Sequence, residues 1–266
     1  MRSIKKIVFV STLMLSFLFT GIVFGEDKND QIPILMYHHI VEVYNGESTI
    51  NIIDLQGFWS HITALKEEGF NFISIEQLRK AEKGEIELPE KPIILTFDDG
   101  YESNYKLAYP LIKEYEIKAV MNLVVSTVGE TPGVYPHFTW EEAKEMQDSG
   151  LVEMGSHTFA LHTPEMWKSE EETDDQYYER LFKDFSYSKQ LLDSKLEYEA
   201  SIMCFPYGYY NPIVVKAAYD AGFETFITVD KRINNINGRI SLLGRINVDG
   251  SYSSDDLIKK IDELYK

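Results

Sequence analysis

Cysteine is nearly absent from this chain: Cys204 stands alone among 266 residues. No intramolecular disulfide can form, and a cysteine-based zinc cluster is excluded. Any metal must be held by histidines and carboxylates, and histidine is itself scarce, with six. Positive charge is short as well, 26 Lys and Arg against 43 Asp and Glu, for a net charge of −17. Such a surface repels phosphate backbones, so no nucleic-acid partner is expected. The acidic surface serves solubility and suits cationic ligands equally. Nine prolines and 16 glycines are too few for long linkers or a collagen-like repeat. A hydrophobic share of 44% is too high for a disordered chain.

What is present begins with a targeting pattern. Arg2, Lys5 and Lys6 precede an apolar run from Ile7 to Phe24, and a polar, acidic stretch from Glu26 to Asp30 follows. This reads as a signal peptide over residues 1–25, cleaved after Gly25. At 18 residues the run is also nearly long enough to stay as a membrane anchor. The expected product is secreted or associated with the cell surface or membrane through this segment. Its loss removes three positive charges and no negative ones, taking −17 to −20.

From residue 26 to 266 the sequence reads as one alternating α/β domain. Short runs rich in Ile, Val and Phe predict strands at 33–37, 70–73, 93–97, 119–125, 152–156, 201–205, 223–229 and 242–248. Helical periodicity predicts helices at 54–68, 76–82, 103–115, 140–149, 174–196, 212–221 and 254–265. Thr139 before Glu141 and Glu142, and Asn211 before Pro212, are helix starts. The acidic stretch Glu170–Asp175 suits the positive end of the helix from Asp174 and reads as a solvated start. Strands alternating with helices imply parallel pairing, and about eight of them suit a (β/α) barrel better than an open sheet.

Four strand ends carry residues that can do chemistry. Ile93–Phe97 runs into Asp98-Asp99-Gly100. Adjacent carboxylates at a strand end point different ways, so one can hold a metal while its neighbour stays free as a base. Val152–Ser156 leads to His157 and His162, five residues apart and therefore on a loop rather than one helix face. Pro33–Tyr37 ends in His38-His39, and Ser201–Phe205 in Pro206-Tyr207-Gly208, a turn whose backbone N–H groups could face an oxyanion. Each taken singly reads as well as a surface turn, a capping histidine or an ordinary loop. Together, one Asp, two His, a neighbouring carboxylate and a remote histidine are the parts for metal-assisted hydrolysis of an amide or ester. His61, on a predicted helix, and His137 have no such context. Cys204 reads as a small core residue.

At these residues the sequence resembles the polysaccharide deacetylases of carbohydrate esterase family 4, the NodB homology domain. Thr96–Gly100 is similar to that family's first motif, Ser156–His162 to its second and Phe205–Gly208 to its third. The resemblance runs in order from about Pro33 to Val248. It implies a distorted (β/α) barrel, often of seven strands. It assigns Asp98 as base and Asp99, His157 and His162 to a divalent metal, zinc with cobalt or nickel as alternatives. The Tyr207 N–H is implied at the oxyanion.

Three departures mark the subfamily. The histidine spacing is five rather than the commoner four, and Cys204-Phe205 stand where an Arg usually precedes Pro-Tyr-Gly. Leu243–Val248 also lacks the usual late histidine. The spacing and an early Met36-Tyr37-His38 resemble deacetylases of poly-β-1,6-N-acetylglucosamine. By that resemblance His38 (or, less well placed, His39) is the acid, and Arg245 replaces the missing Arg in orienting Asp98. The implied partner is an acetylated amino-sugar polymer, against whose rings Tyr101, Trp140, Tyr209 and Tyr210 are candidates to stack. The alternatives are a peptidoglycan or chitooligosaccharide deacetylase, an O-acetyl esterase, or an inactive polysaccharide-binding module.

Overall fold

The computed structural model describes residues 31–44, 50–236 and 242–265. The segment read as a signal, residues 1–25, lies outside them. The apolar runs become strands β1 (Ile34–Tyr37), β2 (Pro92–Asp99), β3 (Ala119–Leu123), β4 (Val152–Ser156), β5 (Ile202–Cys204), β6 (Thr225–Ile227), β7 (Leu242–Leu243) and β8 (Ile246–Asn247). All pair in parallel, in the order β7-β6-β5-β4-β3-β2-β1-β8. Helices α1 (Leu55–Glu67), α2 (Ile75–Glu82), α3 (Tyr109–Glu114), α4 (Trp140–Asp148), α5 (Asp174–Leu196), α6 (Pro212–Asp220) and α7 (Ser254–Leu264) accompany the strands.

Only Gly244 and Arg245 separate β7 from β8, yet the two lie at opposite ends of the strand order. Leu243 pairs with Ile227 on β6, and Ile246 pairs with Leu35 on β1. One short segment thus joins both edges and curls the sheet into a distorted barrel. The strand expected at 242–248 is therefore two half-strands. A Cβ on Gly244 would lie 2.4 Å from the Asp230 carbonyl oxygen, so the break needs glycine. The strand expected at 70–73 shrinks to Asn71–Phe72, beside Pro92–Ile93 and off the main order. Ser74 ends it at once by capping α2 in a reciprocal box with Gln77. The helix expected from Ser103 opens as a π-helical turn over Asn104–Ala108 before α3.

Alternation along the strands sorts two cores. Leu35, Leu95, Phe97, Met121, Met154 and Phe226 join the layer beneath the helices. Ile34, Ile94, Val120, Ile202, Cys204, Ile227 and Leu243 form a separate buried cluster inside the barrel, with Ile73, Ile75 and Leu78 plugging its N-terminal end. Glu153 on β4 accepts hydrogen bonds from the Ile75 and Glu76 N–H groups at 2.6 and 2.9 Å, so a strand carboxylate fastens the start of α2. On β2 the inward positions are Ile94, Thr96 and Asp98. The interior is thus apolar low down and polar at the mouth.

Candidate active site

The register places Asp98 on β2 beside Asn122 on β3, and Asn122 beside Gly155 on β4. Asp98 is buried and held by three N–H donors. Arg245 clamps it with Nη1 to Oδ1 at 2.8 Å and Nη2 to Oδ2 at 2.7 Å, and Asn122 Nδ2 donates to Oδ1 at 2.8 Å. Arg245 is itself buried. Its Nε donates to the Thr228 carbonyl at 2.9 Å, Nη1 also to Thr96 Oγ1 at 3.1 Å, and Nη2 also to Cys204 Sγ at 3.2 Å. Burial alone would raise the Asp98 pKa, but the adjoining guanidinium outweighs it and holds the carboxyl far below the usual carboxylate range. The Arg missing before Pro-Tyr-Gly thus leaves no unpaired aspartate.

Asp99 follows with φ +74, a left-handed conformation that breaks the strand alternation and turns a second carboxylate to the mouth. Its Oδ1 lies 3.7 Å from His157 Nε2 and 3.5 Å from His162 Nε2. Ligands about 2.1 Å from a tetrahedral ion are separated by roughly this much. Asp99 Oδ1 is buried without any hydrogen-bond partner, an expensive arrangement unless a cation is what it faces. His157 Nδ1 lies 2.7 Å from the Cys204 carbonyl, which can only accept, so the Nε2 lone pair is the one presented to Asp99. Burial lowers the pKa of His157, which keeps the imidazole neutral as a ligand must be. The donor set therefore fits a divalent metal, with Asp99, His157 and His162 as its holders. Asp98, His157 and Cys204 also lie close together. That second group is unsuited, because Asp98 is already ion-paired with Arg245 and burial pushes the Cys204 thiol up.

The histidine loop is held from outside. Asp184 on α5 accepts from the Phe159 and Ala160 N–H groups, both at 2.9 Å, and Thr158, at φ +74, accepts from the Leu161 N–H. Tyr207, at φ +58, rests its ring 4.8 Å from His162 and its hydroxyl on the His162 carbonyl. Backbone strain in residues that are not glycine thus recurs at Asp99, Thr158 and Tyr207 around one cluster.

His38 Nε2 lies 4.0 Å from Asp98 Oδ2, whereas His39 turns away to Ser103 Oγ (2.9 Å) and stacks near Tyr135. His61 is buried between the Tyr37 hydroxyl (3.0 Å) and the Tyr252 carbonyl (2.8 Å), a structural histidine. Of the candidate stacking residues, Tyr209 lies in an aromatic wall with Trp167 and Tyr207, and Tyr101 in another with His39, Tyr135 and His137. Trp140 packs half-buried on the helix-side core. Tyr210 is tied to Asp230 Oδ2 at 2.9 Å and stacks on Phe205. Within the acidic stretch, Glu172 is claimed by Arg180 rather than solvated. Sequence reasoning does not single out Asn122, Asp184 or Trp167, and gives His137 no role. Only Asn122 left a signal, a lone amide inside the apolar strand Ala-Val-Met-Asn-Leu.

The polysaccharide deacetylase family model matches residues 85–226, more than half of the chain, and the chain belongs to that family. The Bacillus subtilis protein YxkH, itself named only provisionally as a polysaccharide deacetylase, is 28% identical over 232 residues, covering 85% of this chain and 75% of that one. The Escherichia coli poly-β-1,6-N-acetyl-D-glucosamine N-deacetylase is 30% identical over 200 residues, 64% of this chain but only 30% of that protein. Among solved structures, a de-N-acetylase from Aggregatibacter actinomycetemcomitans superposes with a TM-score of 0.78 at 29% identity, covering 87% of this chain and all of that one. The protein is a polysaccharide deacetylase, a hydrolase with the NodB-type distorted barrel.

Proposed function

We propose that this chain removes N-acetyl groups from an extracellular N-acetylglucosamine polymer, poly-β-1,6-N-acetylglucosamine, in a metal-dependent reaction. The observation that carries the chemistry is the unpartnered Asp99 Oδ1 facing two histidine nitrogens, directly beside an aspartate held ionised. The linkage rests on the similarity to the E. coli enzyme, and the extracellular setting on the signal-like N-terminus.

A divalent metal, zinc or else cobalt or nickel, held by Asp99, His157 and His162 would polarise the acetyl carbonyl and acidify water. Asp98 takes the proton of the attacking water on Oδ2, the carboxylate oxygen nearest His38. Arg245 keeps Asp98 ionised and fixes its plane. The Tyr207 N–H donates to the oxygen that becomes negative as water adds. His38, protonated, gives its proton to the nitrogen as the C–N bond breaks, leaving acetate and the free amine. The aromatic walls, Trp167–Tyr207–Tyr209 and Tyr101–Tyr135, would hold sugar rings on either side. The inactive-module reading rests on the absent Arg and the absent late histidine, and Arg245 on Asp98 weighs against the first.

The test is acetate release from β-1,6- and β-1,4-linked N-acetylglucosamine oligomers, each with zinc and with chelator. Chelator-sensitive release from the β-1,6 oligomer alone is expected. Preference for the β-1,4 oligomer would move the substrate to cell wall or chitin, and silence on both would overturn the reading as an N-deacetylase.

A further inference from the structure

The geometry assigns Asn122 as a positioning residue that selects which oxygen of Asp98 acts as base, and assigns Gly155 as the vacancy that lets it do so. The inference rests on the proposed role of Asp98. A carboxylate can only accept, so it is Asn122 Nδ2 that faces Asp98, and Oδ1 must point the other way. Asp98 Oδ1 then accepts from two N–H donors, Asn122 and Arg245 Nη1, while Oδ2 accepts from Arg245 Nη2 alone; the Cys204 thiol lies 3.7 Å from both oxygens and favours neither. The lone pair that no N–H donor claims is on Oδ2, the oxygen that lies 4.0 Å from His38 Nε2. Without Asn122 both oxygens would be held alike by the guanidinium fork, and nothing would distinguish them or stop the carboxylate from rocking.

The amide can lie across the barrel mouth only because β4 carries no side chain at the paired position. A Cβ built on Gly155 would stand 2.4 Å from Asn122 Oδ1, closer than real atoms approach, and 3.0 Å from Ile202 Cγ2. Gly155 does not have a positive φ, so its need for glycine is one of space and not of backbone conformation. Asn122 Oδ1 meanwhile has no hydrogen-bond partner although it is buried. The fold leaves one buried polar atom unpaired, an unfavourable arrangement, to keep the other end of the amide on Asp98.

The experiment is a double-mutant cycle of Asn122→Ala, Gly155→Ala and the pair, in the zinc-loaded protein, reading kcat, KM, bound zinc and Tm. Asn122→Ala should lower kcat at least tenfold with KM and zinc content within twofold of wild type, the split expected when a group is lost from the reacting step only. Gly155→Ala should do the same while lowering Tm. In the double variant the added methyl fills the space of the missing amide, so Tm should recover towards that of Asn122→Ala and kcat should fall no further than in either single variant. Wild-type kcat in Asn122→Ala, or losses that simply add in the pair, would overturn the assignment. An inactive wild type would instead sink the deacetylase reading and leave the Tm cycle to decide whether the two residues are coupled.

Discussion

Asp98 and Asp99 are chemically identical neighbours with opposite surroundings. Asp98 meets a buried guanidinium and an amide; Asp99 meets two imidazoles and has an oxygen left over. Asp98→Asn keeps the shape and removes the base, so kcat should fall by about a thousandfold or more with zinc still bound, as elemental analysis would show. A variant as active as wild type would refute the base assignment. Arg245→Ala leaves a buried carboxylate without its partner and should destabilise the fold by about 3–5 kcal/mol in urea unfolding. An effect below about 1 kcal/mol would mean that the ion pair contributes little. At this scale the sequence was legible where a motif is contiguous. Asp98, Asp99, His157, His162 and Tyr207 could be singled out because each follows directly on an apolar run. Asp184 could not, and Asn122 shows only as a lone amide in an apolar strand, because what they touch is 24 residues away in the chain or more.

Among the elements, α5 and β4 do more than fill layers. Asp184 on α5 grips the backbone midway between His157 and His162 by accepting from the Phe159 and Ala160 N–H groups, while Tyr187 on the same helix packs on the Phe159 ring. Asp184→Ala should therefore weaken zinc affinity about 10–100-fold, measured by competition with a chromophoric chelator, while the helix content stays unchanged. Unaltered affinity would show that the loop holds itself. Glu153 on β4 shows a different balance. Burial pushes its pKa up to about 7 from an ordinary 4.5, although two N–H donors from α2 pull the other way. The folded chain then keeps a proton there that the unfolded chain releases, so between about pH 4.5 and 7 stability falls as pH rises. Glu153→Gln removes that titration and should flatten the dependence of urea stability on pH across the window. An unchanged slope would place the pH sensitivity elsewhere. Helix starts at Thr139 and Asn211 were readable because capping is local. The π-helical turn at Asn104–Ala108 has no comparable local code.

For the whole molecule, the site is assembled from β1, β2, β3, the loop after β4, the turn after β5 and the segment between β7 and β8, so holding a metal should tie these together. Zinc at a hundred times its Kd should add about 3 kcal/mol to stability and raise Tm. Asp99→Ala should abolish that rise, as thermal melts with and without chelator would reveal. A rise that persists in Asp99→Ala would place the ion elsewhere.

Alternating apolar runs, caps and strand-end motifs are local patterns, and from them alone the α/β class, the number of helices and the Asp-Asp and His–His candidates could be written down. Closure could not. Residues 242–248 read as one strand, and only the paired edges of β6 and β1 determine that it must break at Gly244 and serve both. That break carries Arg245 into the barrel and onto Asp98, across 147 residues of chain. The placement of a charge in a buried interior depends on which groups surround it in space, and no run of neighbouring residues encodes that.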